Sequence, residues 1–133
     1  MTQEQKDLLL KDLCARLPYG IKLLCPDAFG GYTSILEEID IYNWIKDSEG
    51  YIYEITEVKP YLFPLSSMTE EQKVEFDKMS ELDIEYVITQ IKNDSPNWTS
   101  GLNRFNWLLK NHFDVYDLIS MGLAIDATGL NIY

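Results

Sequence analysis

At 133 residues, with 46% hydrophobic and 13% aromatic content, the chain is long enough to bury a core and too apolar to stay disordered. Its net charge of -11 opposes direct contact with a phosphate backbone and favours a partner with a basic surface. No apolar run reaches membrane-spanning length, and the polar start Met1 to Asp7 excludes a secretory signal.

The charge is segregated. Residues 27–57 hold eight carboxylates against Lys46 alone, a net of -7, and residues 69–85 hold seven against Lys73 and Lys78, a net of -5. The competing role for such acidity is plain solubility. Two cysteines, Cys14 and Cys25, are too few and too far apart for a zinc motif or a redox pair, and reduced thiols in a cytoplasmic protein are expected. Asn97-Trp98-Thr99 fits a glycosylation acceptor, which is a chance match in that compartment.

In chain order, Thr2 and Gln5 form a capping box, and Leu9, Leu10, Leu13, Cys14 and Leu17 follow at helical spacing. A helix is predicted over residues 3–16, ended by Pro18, with Asp7 and Lys11 paired on its outer face. Residues 21–25 read as a strand. From Tyr32 to Ile45 the alternation changes midway, which predicts two strands or one bent around residues 38–40. Asp47-Ser48-Glu49-Gly50 is a turn, and residues 44–58 form the strongest hairpin signal.

Residues 59–72, Lys59 through Gln72, form a joint rich in proline and large apolar side chains. Thr69 and Gln72 then cap a helix running to about residue 79, with Val74, Phe76 and Met79 inward. Residues 84–91 fit a buried helix face or a strand. Residues 93–97 form a loop, and a helix starting at Thr99 or Ser100 carries Leu102, Phe105, Leu108 and Leu109. Asp114 and Asp117 predict a short helix over 115–121. Residues 123–125 and 130–133 predict a hairpin or a strand returning to the first sheet.

Few groups point to chemistry. Glu57-Val58-Lys59 fits the E-x-K half of a metal-dependent nuclease, with Asp40 or Asp47 as the third acid. The tripeptide is common and the acidic surface opposes a DNA substrate, so a solvated strand end with an ion pair is the favoured reading. His112 is the single histidine, so no two-histidine mechanism is available, and its place near a helix end suits the helix dipole. Helices over 100–111 and 115–121 followed by a hairpin have the order of a winged helix-turn-helix. Residues 115–121 contain no Lys or Arg, which excludes DNA reading. Tyr61, Leu62, Phe63 and Leu65 crowd the joint. They either seal the seam between sheet and helices or leave a binding patch beside Glu70, Glu71 and Glu75.

The phrase from Lys59-Pro60-Tyr61-Leu62 to Met68-Thr69-Glu70-Glu71 resembles uncharacterised small proteins of gut Bacteroides-type bacteria and their prophages and phages. Leu8 to Tyr19 and His112 to Ala124 are also similar. The resemblance implies a bacterial or phage cytoplasmic setting and transfers no functional residue.

The expectation is one α+β domain over 1–133. Residues 1–58 supply an N-terminal helix and a small antiparallel, partly barrel-like sheet; 59–72 supply the joint; 73–133 are mainly helical with a short terminal hairpin. The expected function is non-enzymatic binding of a basic protein, with no cofactor and no metal. The candidate partner-binding residues are Tyr61, Phe63, Glu70, Glu71 and Glu75. The alternatives are an acidic mimic of DNA that blocks a nucleic-acid-binding enzyme, and a metal-dependent hydrolase at Asp40, Glu57 and Lys59.

Overall fold

A computed structural model describes residues 1–78 and 103–133. The capping box forms as expected: Gln5 N donates to Thr2 Oγ1 (3.1 Å) and Thr2 N to Gln5 Oε1 (3.0 Å). It starts helix α1 (Gln3–Arg16), which a 3-10 turn at Leu17–Tyr19 and left-handed Gly20 bring to an end. The buried face of α1 keeps only Leu9 and Leu13 of the expected leucine and cysteine stripe. It is Leu9, Asp12, Leu13 and Arg16, while Cys14 is exposed. Asp7 accepts from Gln3 Nε2 (2.9 Å) rather than pairing with Lys11, whose ammonium lies 5.5 Å from the Tyr116 ring.

Strands β1 (Lys22–Cys25), β2 (Tyr32–Ile39), β3 (Ile45–Asp47), β4 (Ile52–Tyr53), β5 (Lys59–Leu62) and β6 (Ile125–Asp126) form an open sheet in the order β4-β3-β2-β1-β5-β6. Every pair is antiparallel except β5 with β6, so the sheet is mixed and does not close as a barrel. The change in alternation within 32–45 is a register shift between Leu36 and Glu38, followed by a loop. Beyond β4 the expected strand stops, and Ile55–Glu57 is a 3-10 turn.

Three loops of the sheet repeat one device. Asp27, Asp40 and Asp47 each accept, on one carboxylate oxygen, the backbone amides two and four residues on, at 2.7–3.1 Å. The residue three places on, Gly30, Asn43 or Gly50, has a positive φ, which glycine and asparagine adopt most readily. Three carboxylates of the first acidic block are thus turn-formers.

The joint does not end the sheet. Its first four residues are β5, with Leu23 opposite Pro60 and Leu24 opposite Lys59. Pro60 is tolerated because backbone groups alternate sides along a strand. Leu62 O accepts from Ala127 N, so the Pro60 nitrogen faces the same side, ahead of the point where β6 begins to pair. The line of β5 continues: Phe63 N donates to His112 O and Asp114 N to Phe63 O, both 2.8 Å.

Helix α2 (Glu70–Lys78) carries the expected Thr69/Gln72 capping box. Val74 is exposed rather than inward, and Phe76 meets Trp107 of helix α3 (Asn103–Lys110). Residues 84–91, the 93–97 loop, Asn97-Trp98-Thr99, Met79 and Leu102 lie outside the described residues. No helix forms over 115–121. Asp117 has a φ of 58°, and Asp114 instead caps a run of turns by accepting from Leu118 N and Ile119 N (both 2.9 Å). The winged helix-turn-helix order is therefore absent there. The terminal hairpin is replaced by its alternative, a strand returning to the first sheet, and that strand runs parallel to β5.

The core joins α1, the sheet and the C-terminal turns through Leu9, Leu13, Ile21, Leu23, Leu36, Ile45, Val58, Leu62 and Leu118. An aromatic chain runs from Phe76 through Trp107, Phe113 and Phe63 to Tyr133.

Candidate functional site

Cross-strand pairing sorts the hairpin side chains by face. Glu38, Lys46 and Ile52 share one face; Ile39, Ile45 and Tyr53 share the other. Each face carries a cleft. The larger, about 510 Å³, is lined by Pro26, Asp27, Tyr32, Glu49, Tyr51 and Tyr53. The smaller, about 270 Å³, is lined by Glu38, Asp40, Trp44, Lys46 and Ile52.

The larger cleft is built where two of the aspartate turns meet. Asp27 shapes the β1–β2 loop and Asp47 the β3–β4 turn, which carries Glu49 and Tyr51. The Tyr32 hydroxyl donates to Asp47 Oδ2 and lies 2.6 Å from the Tyr53 hydroxyl. The Tyr32 and Tyr51 rings stand 6.5 Å apart at 69°. Asp47 is fully buried and spends three hydrogen bonds, two from turn amides and one from Tyr32. Glu49 is exposed and enters no ion pair among the described residues.

Tyr32 in this cleft and Cys25 beside it are held neutral. Burial, then the hydrogen bond to Asp47, raises the Tyr32 pKa. Burial, then the Asp47 charge, pushes the Cys25 thiol up to about 11. An activated nucleophile needs the opposite shift. Ring faces inside and carboxylates at the rim suit the binding of a cation rather than covalent chemistry.

The residues singled out from the sequence fall elsewhere. Tyr61 is 7% exposed, its hydroxyl near Thr33 Oγ1 (3.4 Å) and its carbonyl accepting from Tyr133 Oη (2.8 Å). Phe63 is half-buried between Phe113 and Tyr133. These joint aromatics seal a seam, and Tyr61 is not presented to a partner. Glu70 and Glu71 are exposed in the first turn of α2, Glu70 3.6 Å from Lys73. Glu75 accepts from Trp107 Nε1 (3.1 Å) and so ties α2 to α3. The second acidic block is described only to Lys78, so a phosphate-like row over 69–85 lies partly outside the described residues.

Asp40, Glu57 and Lys59 do not converge. Lys59 lies opposite Leu24, itself opposite Thr33 near the start of β2, whereas Asp40 follows the other end of β2. Seven residues of strand separate Thr33 from Asp40, on the order of 20 Å at ~3.3 Å per residue. Asp40 caps its own loop, Glu57 accepts from Glu54 N (2.7 Å), and Glu57 and Lys59 line a different hollow of about 250 Å³. Among the described residues no three His, Cys, Asp or Glu side chains gather as a metal site.

The tyrosine cleft was missed in the sequence although its signals were present. In the sequence, Tyr32, Tyr51 and Tyr53 read as members of strand segments, with nothing local to bring them together. The signal that points to the cleft is the repetition of the Asp47-x-x-Gly50 turn spacing at Asp27-x-x-Gly30 and Asp40-x-x-Asn43. Comparison with protein-family models, curated proteins and solved structures gives no match to this chain. No helix among the described residues is long and apolar enough to cross a membrane.

Proposed function

We propose that the chain is a non-enzymatic binding protein whose partner is a protein with a basic surface. The tyrosine cleft carries this reading: three tyrosines and two carboxylates line it, and among the described residues no cationic side chain does. The protonated state of Tyr32 and Cys25 supports binding over catalysis. Around the cleft, the net of -7 over residues 27–57 supplies long-range attraction for a basic surface. Tyr51 in the cleft wall and Phe29 in the Asp27 loop are exposed and supply contact area that a solvated acidic face does not need. The partner site thus moves from the joint to the hairpin. A reducing cytoplasmic setting in a bacterium or phage fits the two unpaired thiols and the resemblance at the joint.

Panning a random peptide library against the immobilised protein tests this function. Enriched peptides are expected to carry net positive charge and to lose affinity as salt rises beyond about 0.15 M, where the screening length is ~8 Å. Enrichment without a charge bias overturns it.

A further inference from the structure

We infer that the tyrosine cleft takes an arginine side chain of the basic partner, its guanidinium lying on the Tyr51 ring and pairing with Glu49. This rests on the function proposed above.

The cleft separates its two kinds of attraction. Inside are ring faces, with Tyr32 and Tyr51 forming walls 69° apart. The hydroxyls on its floor are already engaged, Tyr32 with Asp47 and Tyr53 with Tyr32, so they offer little to a new donor. The usable acceptors are at the rim. Glu49 is unpaired among the described residues, and Asp27 spends one oxygen on the amides of Phe29 and Gly31.

That arrangement discriminates between cations. A guanidinium is planar, weakly hydrated and carries its donors along its edge, so it can stack on a ring while bonding a carboxylate in two places. A lysine ammonium is a strongly hydrated point charge, and the floor does not replace the water it would lose. A quaternary ammonium gains most when rings enclose it on all sides. Tyr51 is 60% exposed, so this cleft is open on that side. The volume of about 510 Å³ exceeds a guanidinium and leaves room for its stem and the flanking peptide backbone. Phe29, 95% exposed two residues after Asp27, is placed to meet an apolar neighbour of that arginine.

The test uses three nine-residue Gly/Ser peptides bearing three arginines, three lysines or three trimethyl-lysines, titrated into the full chain by NMR. The arginine peptide is expected to shift the ring resonances of Tyr32, Tyr51 and Tyr53 and to bind about fivefold tighter than the lysine peptide. Tyr51→Ala should weaken it about fivefold or more, Tyr51→Phe should restore binding, and Glu49→Gln should weaken it and flatten its salt dependence. Both side chains are exposed, so these variants are expected to fold. Equal affinity for arginine and lysine, tighter binding of trimethyl-lysine, or indifference to Tyr51→Ala overturns the inference. Basic peptides selected from the library without arginine preference leave the proposed function standing; no basic selection removes both.

Discussion

The Tyr32 hydroxyl donates to Asp47 Oδ2, and Asp47 Oδ1 holds the amides of Glu49 and Tyr51. One buried carboxylate therefore sets both the turn that carries half the cleft and the ring that forms its wall.

Tyr32→Phe keeps the ring and removes a donor to a buried charge. The expected loss of stability is about 1.5–3 kcal/mol. Urea unfolding measures it, as a lower midpoint with an unchanged slope. Binding of the arginine peptide should persist in this variant, since the ring face remains.

Gly31 ends the Asp27 loop with a φ of +116°, and an added Cβ would lie 2.9 Å from Leu24 Cδ1 and 3.1 Å from Cys25 O. Gly31→Ala combines backbone strain with a clash against the Leu24 side chain and a tight contact with the Cys25 carbonyl, and the expected cost is about 2 kcal/mol or more. Because Gly31 N also donates to Asp27, arginine-peptide affinity should fall with stability. Thermal unfolding and the same NMR titration read both effects.

The fully buried pair Asp12–Arg16 (2.8 Å) also ties α1 to the C-terminal turns, since Arg16 donates to Phe113 O. Burial raises the Asp12 pKa against the stabilising pull of Arg16, and Asp12 Oδ1 and Arg16 Nη1 have no hydrogen-bond partner among the described residues. Arg16→Met strands a buried carboxylate and should cost about 3–5 kcal/mol, whereas Asp12→Leu with Arg16→Met should recover most of that loss. A double-mutant cycle in urea checks it, and additive losses would show that the two charges do not depend on each other.

His112 stacks on Tyr133 with centroids 3.8 Å apart. Burial, then the charges of Arg16 and Lys22, lowers its pKa from 6.5 to about 4. The folded pKa lies below the unfolded one, so the unfolded state binds the extra proton between them. The contribution is present above about pH 6.5 and is lost as pH falls toward 4. His112 has a φ of 64°, which asparagine tolerates. Between pH 7 and 4.5, the wild type should lose about 2 kcal/mol more stability than His112→Asn, a figure discounted for partial exposure. Asp12 titrates in the opposite sense in both proteins and cancels in the difference. Parallel pH profiles would refute the assignment.

Helix α1, the start of α2 and the β3–β4 hairpin were legible because their signals are local. A capping box spans three residues and strand alternation two, and both operate before any distant contact forms. The α+β class was legible in the same way, but the open sheet and its parallel β5–β6 pair were not. The aspartate turns are equally local: the Asp47 turn is legible in the sequence, whereas the shared Asp-x-x-Gly/Asn spacing that makes Asp27 and Asp40 its equivalents shows only once the three are compared.

Tertiary structure decided the rest. Asp12 and Arg16 have the spacing of a surface pair, and they are buried because the Phe113 carbonyl, 97 residues along the chain, completes the site for the guanidinium. Pro60 can sit inside the sheet because β6 pairs only beyond it. Tyr61 is sealed by Tyr133, and the tyrosine cleft exists because Asp47 reaches back fifteen residues to Tyr32. By itself the sequence determined elements, caps and net charge, since these depend on neighbours along the chain. Which carboxylates stay free and which rings face solvent depend on contacts between distant segments, and only the folded chain brings those together.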